Sequence, residues 1–261
     1  MIDKKEFLLH SIIKAYIEHL EPIGSNQLKS MYDISYSPAT IRGYFKKLGD
    51  EGFLAQEHVS SGRTPTIEAL KAYWNEKLNF ELPSINYDRL KRLTKNLNLS
   101  VFILKVQENK LERVLNIEET YMILEFSSFY VTVAYSDPLY RFINDMIGVS
   151  VEDMLNVTKQ VGAKQLYDEL ERYIQKHDFG IINLKNFMSF AVHYDLDEEF
   201  INDFMNGSIM YGLKEGVYFE NLLPSGFMGV CHDTTIENEN VKLLVLGELS
   251  KDYEYFYKGI I

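Results

Sequence analysis

Cysteine is almost absent from this chain of 261 residues, where Cys231 stands alone. An intrachain disulfide is thereby excluded, and the composition fits a reducing, cytoplasmic setting. Long apolar runs are missing as well. Nowhere do about 18 consecutive apolar residues occur, so no transmembrane helix is expected. Residues 1–20 carry Asp3, Lys4, Lys5, Glu6, Lys14 and Glu18, so no secretory leader is expected either. Catalytic signatures are lacking too: there is no dinucleotide-binding glycine motif, P-loop, nucleophile elbow or His-Glu-x-x-His. His10, His19, His58, His177, His193 and His232 are scattered, and no Cys or His pair has zinc-ligand spacing. Cys231 and His232 are neighbours that a strand turns to opposite faces, which argues against a catalytic pair. His193-Tyr194-Asp195 has no nucleophile beside it and reads as surface residues near a helix start. No enzyme, cofactor or metal is expected.

Basic residues are in deficit, 27 against 38 acidic ones, for a net charge of −11. The deficit is unevenly spread. Residues 1–80 hold ten Lys/Arg and ten Asp/Glu, so the whole excess of acid lies in residues 81–261. A chain of this charge is repelled by DNA as a whole, so nucleic-acid binding would depend on a local arrangement of N-terminal cations. An acidic body would also limit non-specific affinity, although it serves solubility equally well. The length suits two domains with a small insertion.

What is present is concentrated in residues 37–66, SPATIRGYFKKLGDEGFLAQEHVSSGRTPT. Ser37 is a good N-cap, and Pro38 occupies the first helical position, where its missing N–H costs nothing. Ile41, Tyr44, Phe45 and Leu48 fall on one helical face. Ala39, Arg42, Gly43 and Lys46 fall on the other, with Thr40 and Lys47 beside them. Small residues and cations without a carboxylate suit a major groove, where Arg and Lys reach guanine edges and phosphates. A solvated basic face on an ordinary amphipathic helix has the same pattern. Gly52 ends the helix, Phe53–Glu57 is short enough for a strand, and Ser60-Ser61-Gly62 supplies turn chemistry. Gly62 is expected to need a positive φ. Arg63 stands at the solvent-facing tip, and Pro65 makes the return strand an edge.

Upstream, Leu9, Ile12, Ile13, Tyr16, Ile17 and Leu20 form a helical stripe. Glu21-Pro22-Ile23-Gly24 breaks it, and Ser25 can cap a second helix burying Leu28, Met31 and Tyr32. Helix, helix, reading helix and β-hairpin in that order predict a winged helix-turn-helix over residues 1–80. The candidate DNA-binding residues are Ser37, Ala39, Thr40, Arg42, Gly43, Lys46, Lys47, His58, Ser61, Gly62 and Arg63.

Three segments in this region, EPIGSNQL (21–28), SPATIRGYFKKLGDEGFL (37–54) and SSGRTPT (60–66), resemble in order and spacing the N-terminal domain of the HrcA family of bacterial heat-inducible repressors. Gly43 stands where that family usually has Asn, and Ser61 where it usually has Ala. The first change removes an amide capable of a bidentate base contact. Near the other end, the family's Gly-Pro-Thr-Arg-Met-Asp-Tyr corresponds to Gly247 to Tyr253, of which only Gly247, Asp252 and Tyr253 survive.

Beyond residue 80 the pattern changes. Residues 66–80 predict a helix with Ile67, Leu70, Trp74 and Leu78 on one stripe, and Leu82-Pro83-Ser84 starts a linker. Residues 86–98 predict another helix, with Tyr87, Leu90, Leu93 and Leu97 facing either a core or a dimer seam. Ser100–Val106, Tyr121–Phe126 and Phe129–Tyr135 read as strands, the last two forming a hairpin about Ser127-Ser128. Arg141–Val149 reads as a further strand, Ser150–Val161 as a helix, and 163–213 as mainly helical. Strands return at Val217–Leu223, Gly226–His232 and Lys242–Gly247 before a Tyr-rich helix at Lys251–Ile261. This order predicts an α+β class. The expected organisation is a winged helix-turn-helix domain at 1–80, a linker and helix at 81–98, and a second α+β domain at 99–261 with an insertion at about 163–213.

The resemblance implies that the second domain is GAF-like and that its small, mainly helical insertion dimerises. It further implies a cytoplasmic homodimeric repressor of chaperone operons of the groESL and dnaK type. Such a repressor binds double-stranded DNA at a CIRCE-type inverted repeat, with the GroEL chaperonin as modulating partner. A two-fold dimer matches such a palindromic target. The alternative is a winged-helix regulator whose C-terminal GAF-like domain senses a small metabolite.

Overall fold

Capping side chains set where most helices begin. A computed structural model describes residues 3–58, 61–78, 82–106, 109–177 and 179–261. Ser60 of the turn and Phe80 at the predicted helix end lie outside these. Helix α1 (Lys4–His19) starts on Asp3, whose carboxylate accepts from the Lys5 N–H. Helix α2 (Ser25–Tyr32) begins on Gly24, not on the expected Ser25 cap, because the Gln27 amide oxygen accepts from the Gly24 N–H at 3.3 Å. Helix α3 (Pro38–Asp50) has Ser37 as its cap and Pro38 in its first turn, and Gly52 follows it at a φ of +82°. Strands β1 (Leu54–Ala55) and β2 (Thr64–Pro65) pair antiparallel, with Leu54 opposite Pro65, a shorter hairpin than predicted. Thr66 then caps α4 (Ile67–Lys77), and Asn86 caps α5 (Tyr87–Asn96).

The remaining elements are β3 (Ser100–Lys105), β4 (Leu111–Ile117), β5 (Tyr121–Phe126), β6 (Tyr130–Ala134), α6 (Asp137–Asn144), α7 (Val151–Val161), α8 (Lys164–His177), β7 (Phe179–Ile182), α9 (Leu184–His193), α10 (Glu198–Met205), a 3-10 turn (Ser208–Tyr211), β8 (Gly216–Tyr218), β9 (Phe227–Ile236), β10 (Glu239–Glu248) and α11 (Tyr253–Ile260). Strands β7, β3, β10, β9 and β8 form a five-stranded sheet in that order, and β4, β5 and β6 a three-stranded one. The class is α+β, as predicted. Among the described residues, no helix is long and apolar enough to cross a membrane.

Three element predictions need correction. Arg141–Val149 is no strand: Pro138 pre-sets φ for the start of α6, whose Ile143 is buried, as is Met146 just beyond it. Strand β4 was missed because its pairing with β5 shifts register between Leu111 and Arg113, which breaks the alternation of its side chains. Residues 163–213 contain β7, an apolar run of four residues that periodicity cannot assign, paired antiparallel with β3. Smaller corrections also apply: Leu20 and Met31 are exposed. His193-Tyr194-Asp195 are surface residues between the end of α9 and the start of α10, as expected.

The chain divides into two units, one of residues 1–100, 216–230 and 245–261, the other of 101–215 and 231–244. Within the first, Leu8, Ile12, Ile23, Leu28, Ile41, Phe45, Leu48 and Leu54 make one core behind α3. Each such side chain contributes about 1.5–3 kcal/mol on burial. In the same unit the Trp74 indole N–H donates to the Leu249 carbonyl at 2.8 Å, and its ring lies edge-on to Tyr253 at 5.1 Å. The surviving family residues near the chain end serve this packing. A Cβ on Gly247 would meet the Leu99 side chain at 2.4 Å and the Tyr253 hydroxyl at 2.8 Å, while Asp252 caps α11. The apolar stripe of α5 is core: Leu90 and Leu93 are buried, and a Cβ on Gly259 of α11 would stand 2.6 Å from Leu93.

The second unit gathers Phe102, Phe187 and Phe204 in mutual ring contact at 5.2–5.3 Å. Met122, Leu124, Val131 and Val133 bury one face of the β4–β5–β6 sheet. Cys231 and His232 are both fully buried in β9, and burial pushes the Cys231 thiol up to about 12. That keeps it protonated and unreactive.

Candidate nucleic-acid interface

The burial of α3 follows its sequence pattern. Ile41, Phe45 and Leu48 face the core, whereas Ala39, Thr40, Arg42, Gly43, Lys46 and Lys47 are all exposed. Ser37 and Thr40 are committed to each other: the Ser37 hydroxyl accepts from the Thr40 N–H at 3.1 Å and lies 2.9 Å from the Thr40 hydroxyl. They act first as a cap. Arg42 donates from Nη1 to the Ser25 hydroxyl at 3.3 Å, which draws its guanidinium toward the start of α2. The Lys47 ammonium lies 5.6 Å from the centre of the Tyr44 ring, and Lys46 is exposed. Just past the end of α3, Lys5 binds Glu51 at 2.9 Å. Nothing stands within 4 Å of a Cβ built on Gly43, so the glycine is not demanded by packing.

The hairpin turn is closed by Ser61. Its hydroxyl donates to the His58 carbonyl at 2.7 Å and lies 3.1 Å from the His58 N–H, while the Gln56 amide donates to the Ser61 carbonyl at 3.1 Å. His58 is exposed. Two expectations for this turn are corrected. Gly62 does not take a positive φ. It is a glycine because a Cβ there would stand 2.6 Å from the Pro22 carbonyl and the Ile23 backbone. Arg63 is half-buried and not at a free tip, because its N–H and carbonyl both pair with Ile23 at 2.9 Å. Ile23 thus bridges to the hairpin at Arg63, beside β2. Those contacts explain why segments 21–28 and 60–66 occur together.

One consequence is a groove of about 550 Å³ whose lining includes Ser25, Asn26, Gln27, Arg42, Gln56 and Arg63 and no carboxylate. Arg42 and Arg63 therefore open onto one concavity, beside the first turn of α2, whose leading N–H groups have no intrahelical acceptor. Both guanidiniums are free of carboxylate partners among the described residues. Anionic, hydrogen-bond-accepting ligands match this arrangement. Ser25, Asn26, Gln27 and Gln56 were not among the sequence candidates. The signal for the first three was the position of EPIGSNQL beside a hairpin it had not yet been seen to touch.

Comparison with known proteins points the same way. Residues 74–261 match the family model of the HrcA C-terminal domain. The heat-inducible transcription repressor HrcA of Helicobacter pylori strain J99 is 34% identical over 263 residues, covering 99% of this chain and 95% of its own. That of strain 26695 is 33% identical over the same extent. The Thermodesulfovibrio yellowstonii repressor is 24% identical over 97% of this chain and 80% of its own. Among solved structures, one described as a hypothetical protein at 2.2 Å covers 100% of this chain and 96% of that one, with a TM-score of 0.49 and 20% identity. With a family model matching most of its length and full-length relatives above 30% identity, the chain belongs to the HrcA family of heat-inducible transcription repressors.

Proposed function

We propose that residues 1–80 act as a winged helix-turn-helix, with α3 in a major groove and the β1–β2 hairpin against the flanking backbone. The observation that carries this reading is the carboxylate-free groove shared by Arg42 and Arg63, next to the exposed cations of α3. Arg42 is the base-reading candidate. Arg63, Ser61, His58, Lys46 and Lys47 supply phosphate contacts, and Ser37 and Thr40 hold the helix start. In this reading the remainder of the chain is the GAF-like domain with its insertion, and the protein works in the cytoplasm as a homodimer on a CIRCE-type inverted repeat of chaperone operons. Its active fraction is set by the GroEL chaperonin, because sheet contacts remote in sequence form late and leave apolar surface exposed during folding. The dimer has a surface available. Cross-strand register places Ile117, Tyr121, Ile123 and Tyr130 on one face of the β4–β5–β6 sheet, where Tyr121 is 53% and Tyr130 68% exposed.

A mobility-shift titration on an inverted-repeat duplex and a scrambled one, with and without chaperonin and ATP, tests the whole reading. Preference for the repeat and a larger active fraction with chaperonin are expected. Equal affinity for both duplexes would sink it. A second reading has one observation behind it, a cavity of about 530 Å³ in the second unit lined by Glu152, Asp233, Thr234, Asn240 and Lys242. A metabolite that shifts operator affinity while chaperonin does nothing would promote that sensing role.

A further inference from the structure

Outside the DNA-facing strip, three side chains converge between α1 and α4. Glu6 and His10 stand four residues apart in α1 and so share a face of that helix, while Glu76 comes from α4. One donor atom of each lies within 4.8 Å of the other two, and His10 Nε2 is 3.2 Å from Glu76 Oε2. The imidazole is the ordered centre of the group. Its side chain is only 19% exposed, and its ring is held edge-on to Tyr73 at 5.4 Å. Glu76 uses its other oxygen to accept from Lys77 at 2.7 Å. The Glu6 carboxylate has no hydrogen bond or ion pair among the described residues. Two carboxylates held this close repel one another unless positive charge sits between them.

The donor types identify that charge. Imidazole nitrogen with two carboxylate oxygens suits first-row divalent ions better than magnesium or calcium, which take oxygen almost exclusively. Metal–nitrogen and metal–oxygen bonds of about 2.0–2.2 Å put adjacent donors roughly 3 Å apart, close to the His10–Glu76 separation. We propose that Glu6, His10 and Glu76 form a binding site for a divalent transition-metal ion that fastens α1 to α4. Waters complete its coordination. An ion bound to the folded chain alone stabilises it by mass action, and α1 also packs against α2 and α3, so the gain extends to the scaffold of the reading helix. Sequence spacing alone hid this site, because it pairs an i, i+4 Glu–His with a carboxylate from a distant helix.

The test uses the full chain, free of any histidine tag and stripped with chelator. Zinc, nickel and magnesium are titrated by calorimetry and thermal unfolding, and cobalt is followed by its visible absorption. One zinc or nickel ion per chain is expected, with a raised Tm, a cobalt spectrum and no response to magnesium. His10→Asn should abolish binding. Glu6→Gln, which leaves the His10–Tyr73 contact intact, should weaken it by about tenfold or more. His193→Asn should change nothing. If the wild-type chain takes up no ion, or Glu6→Gln and His10→Asn bind as well as wild type, the site is overturned and the three side chains only help to pack α1 against α4.

Discussion

Two neighbouring residues of the hairpin turn solve one problem, tight approach, in different ways. At Ser61 a side chain closes the turn by hydrogen-bonding both backbone groups of His58. At Gly62 the absence of a side chain lets the hairpin lie against Pro22-Ile23 with no room for even one carbon. Gly43 in α3 makes a third case, a glycine with open space around it and no structural necessity. Glycine thus marks a contact at position 62 and a choice at position 43, and only the neighbours distinguish them.

The largest effect is expected from breaking the first of these. Gly62→Val forces side-chain atoms into the Pro22 and Ile23 backbone and should cost about 1–3 kcal/mol or more in overpacking. Operator affinity should fall toward the non-specific level, a loss of roughly a thousandfold. Urea unfolding and a mobility shift on one preparation check both. Wild-type operator affinity in this variant would mean that the hairpin can leave Ile23 without consequence for DNA binding.

How much of this was legible follows the same division. In residues 1–80 the signals were local: Ser37 capping, Pro38 starting, Gly52 stopping, and an apolar stripe at helical spacing. The structure reproduces each. What escaped was non-local. The reason for Gly62 lies at Pro22, and the half-burial of Arg63 at Ile23. Further along, β7 is a strand because β3 is beside it, and β4 was hidden by a register shift. A resemblance could name the motifs in 21–28 and 60–66. It could not say that they touch.

Arg42 comes next in size. Arg42→Ala should cost about 1–3 kcal/mol on operator and much less on random duplex if it reads a base. Lys46→Ala and Lys47→Ala separate the two roles. Loss on both duplexes with a salt slope reduced by about one marks a phosphate contact, whereas loss on operator alone marks a base reader. Ser25→Ala frees Arg42 from its hydrogen bond to the Ser25 hydroxyl and sharpens the comparison. If Arg42→Ala weakens both duplexes equally, Arg42 is a phosphate clamp held by α2.

Gly43 should respond in the opposite direction. Gly43→Ala meets no neighbour and should stabilise α3 by about 0.5–1 kcal/mol, read as a raised urea midpoint. Gly43→Asn, the residue usual in the family, should gain only a few tenths of that kind, because asparagine is itself a poor helix former. An altered preference among operator bases in the asparagine variant, with none in the alanine variant, would identify position 43 as a reading position. Destabilisation by both would show that the surrounding space is not open.

The smallest effect expected concerns Glu152, in the first turn of α7 in the second unit. Glu51 in the first unit is exposed and bound by Lys5, whereas Glu152 is half-buried in the wall of the 530 Å³ cavity. Burial raises its pKa above the ordinary carboxylate value, against smaller opposing effects of its own backbone hydrogen bond, Ser150 and Lys242. A carboxyl raised on folding binds its proton more tightly in the folded chain than in the unfolded one. Stability is therefore lost as pH rises from the unfolded value through the folded one, and the penalty persists at neutral pH. Glu152→Gln removes the ionisation and should raise the urea midpoint at pH 7, with no difference from wild type once the pH is below the ordinary glutamate range. A difference that stays constant with pH would assign the change to packing in the cavity wall. A midpoint that falls at pH 7 would show that the ionised carboxylate is held favourably by Lys242.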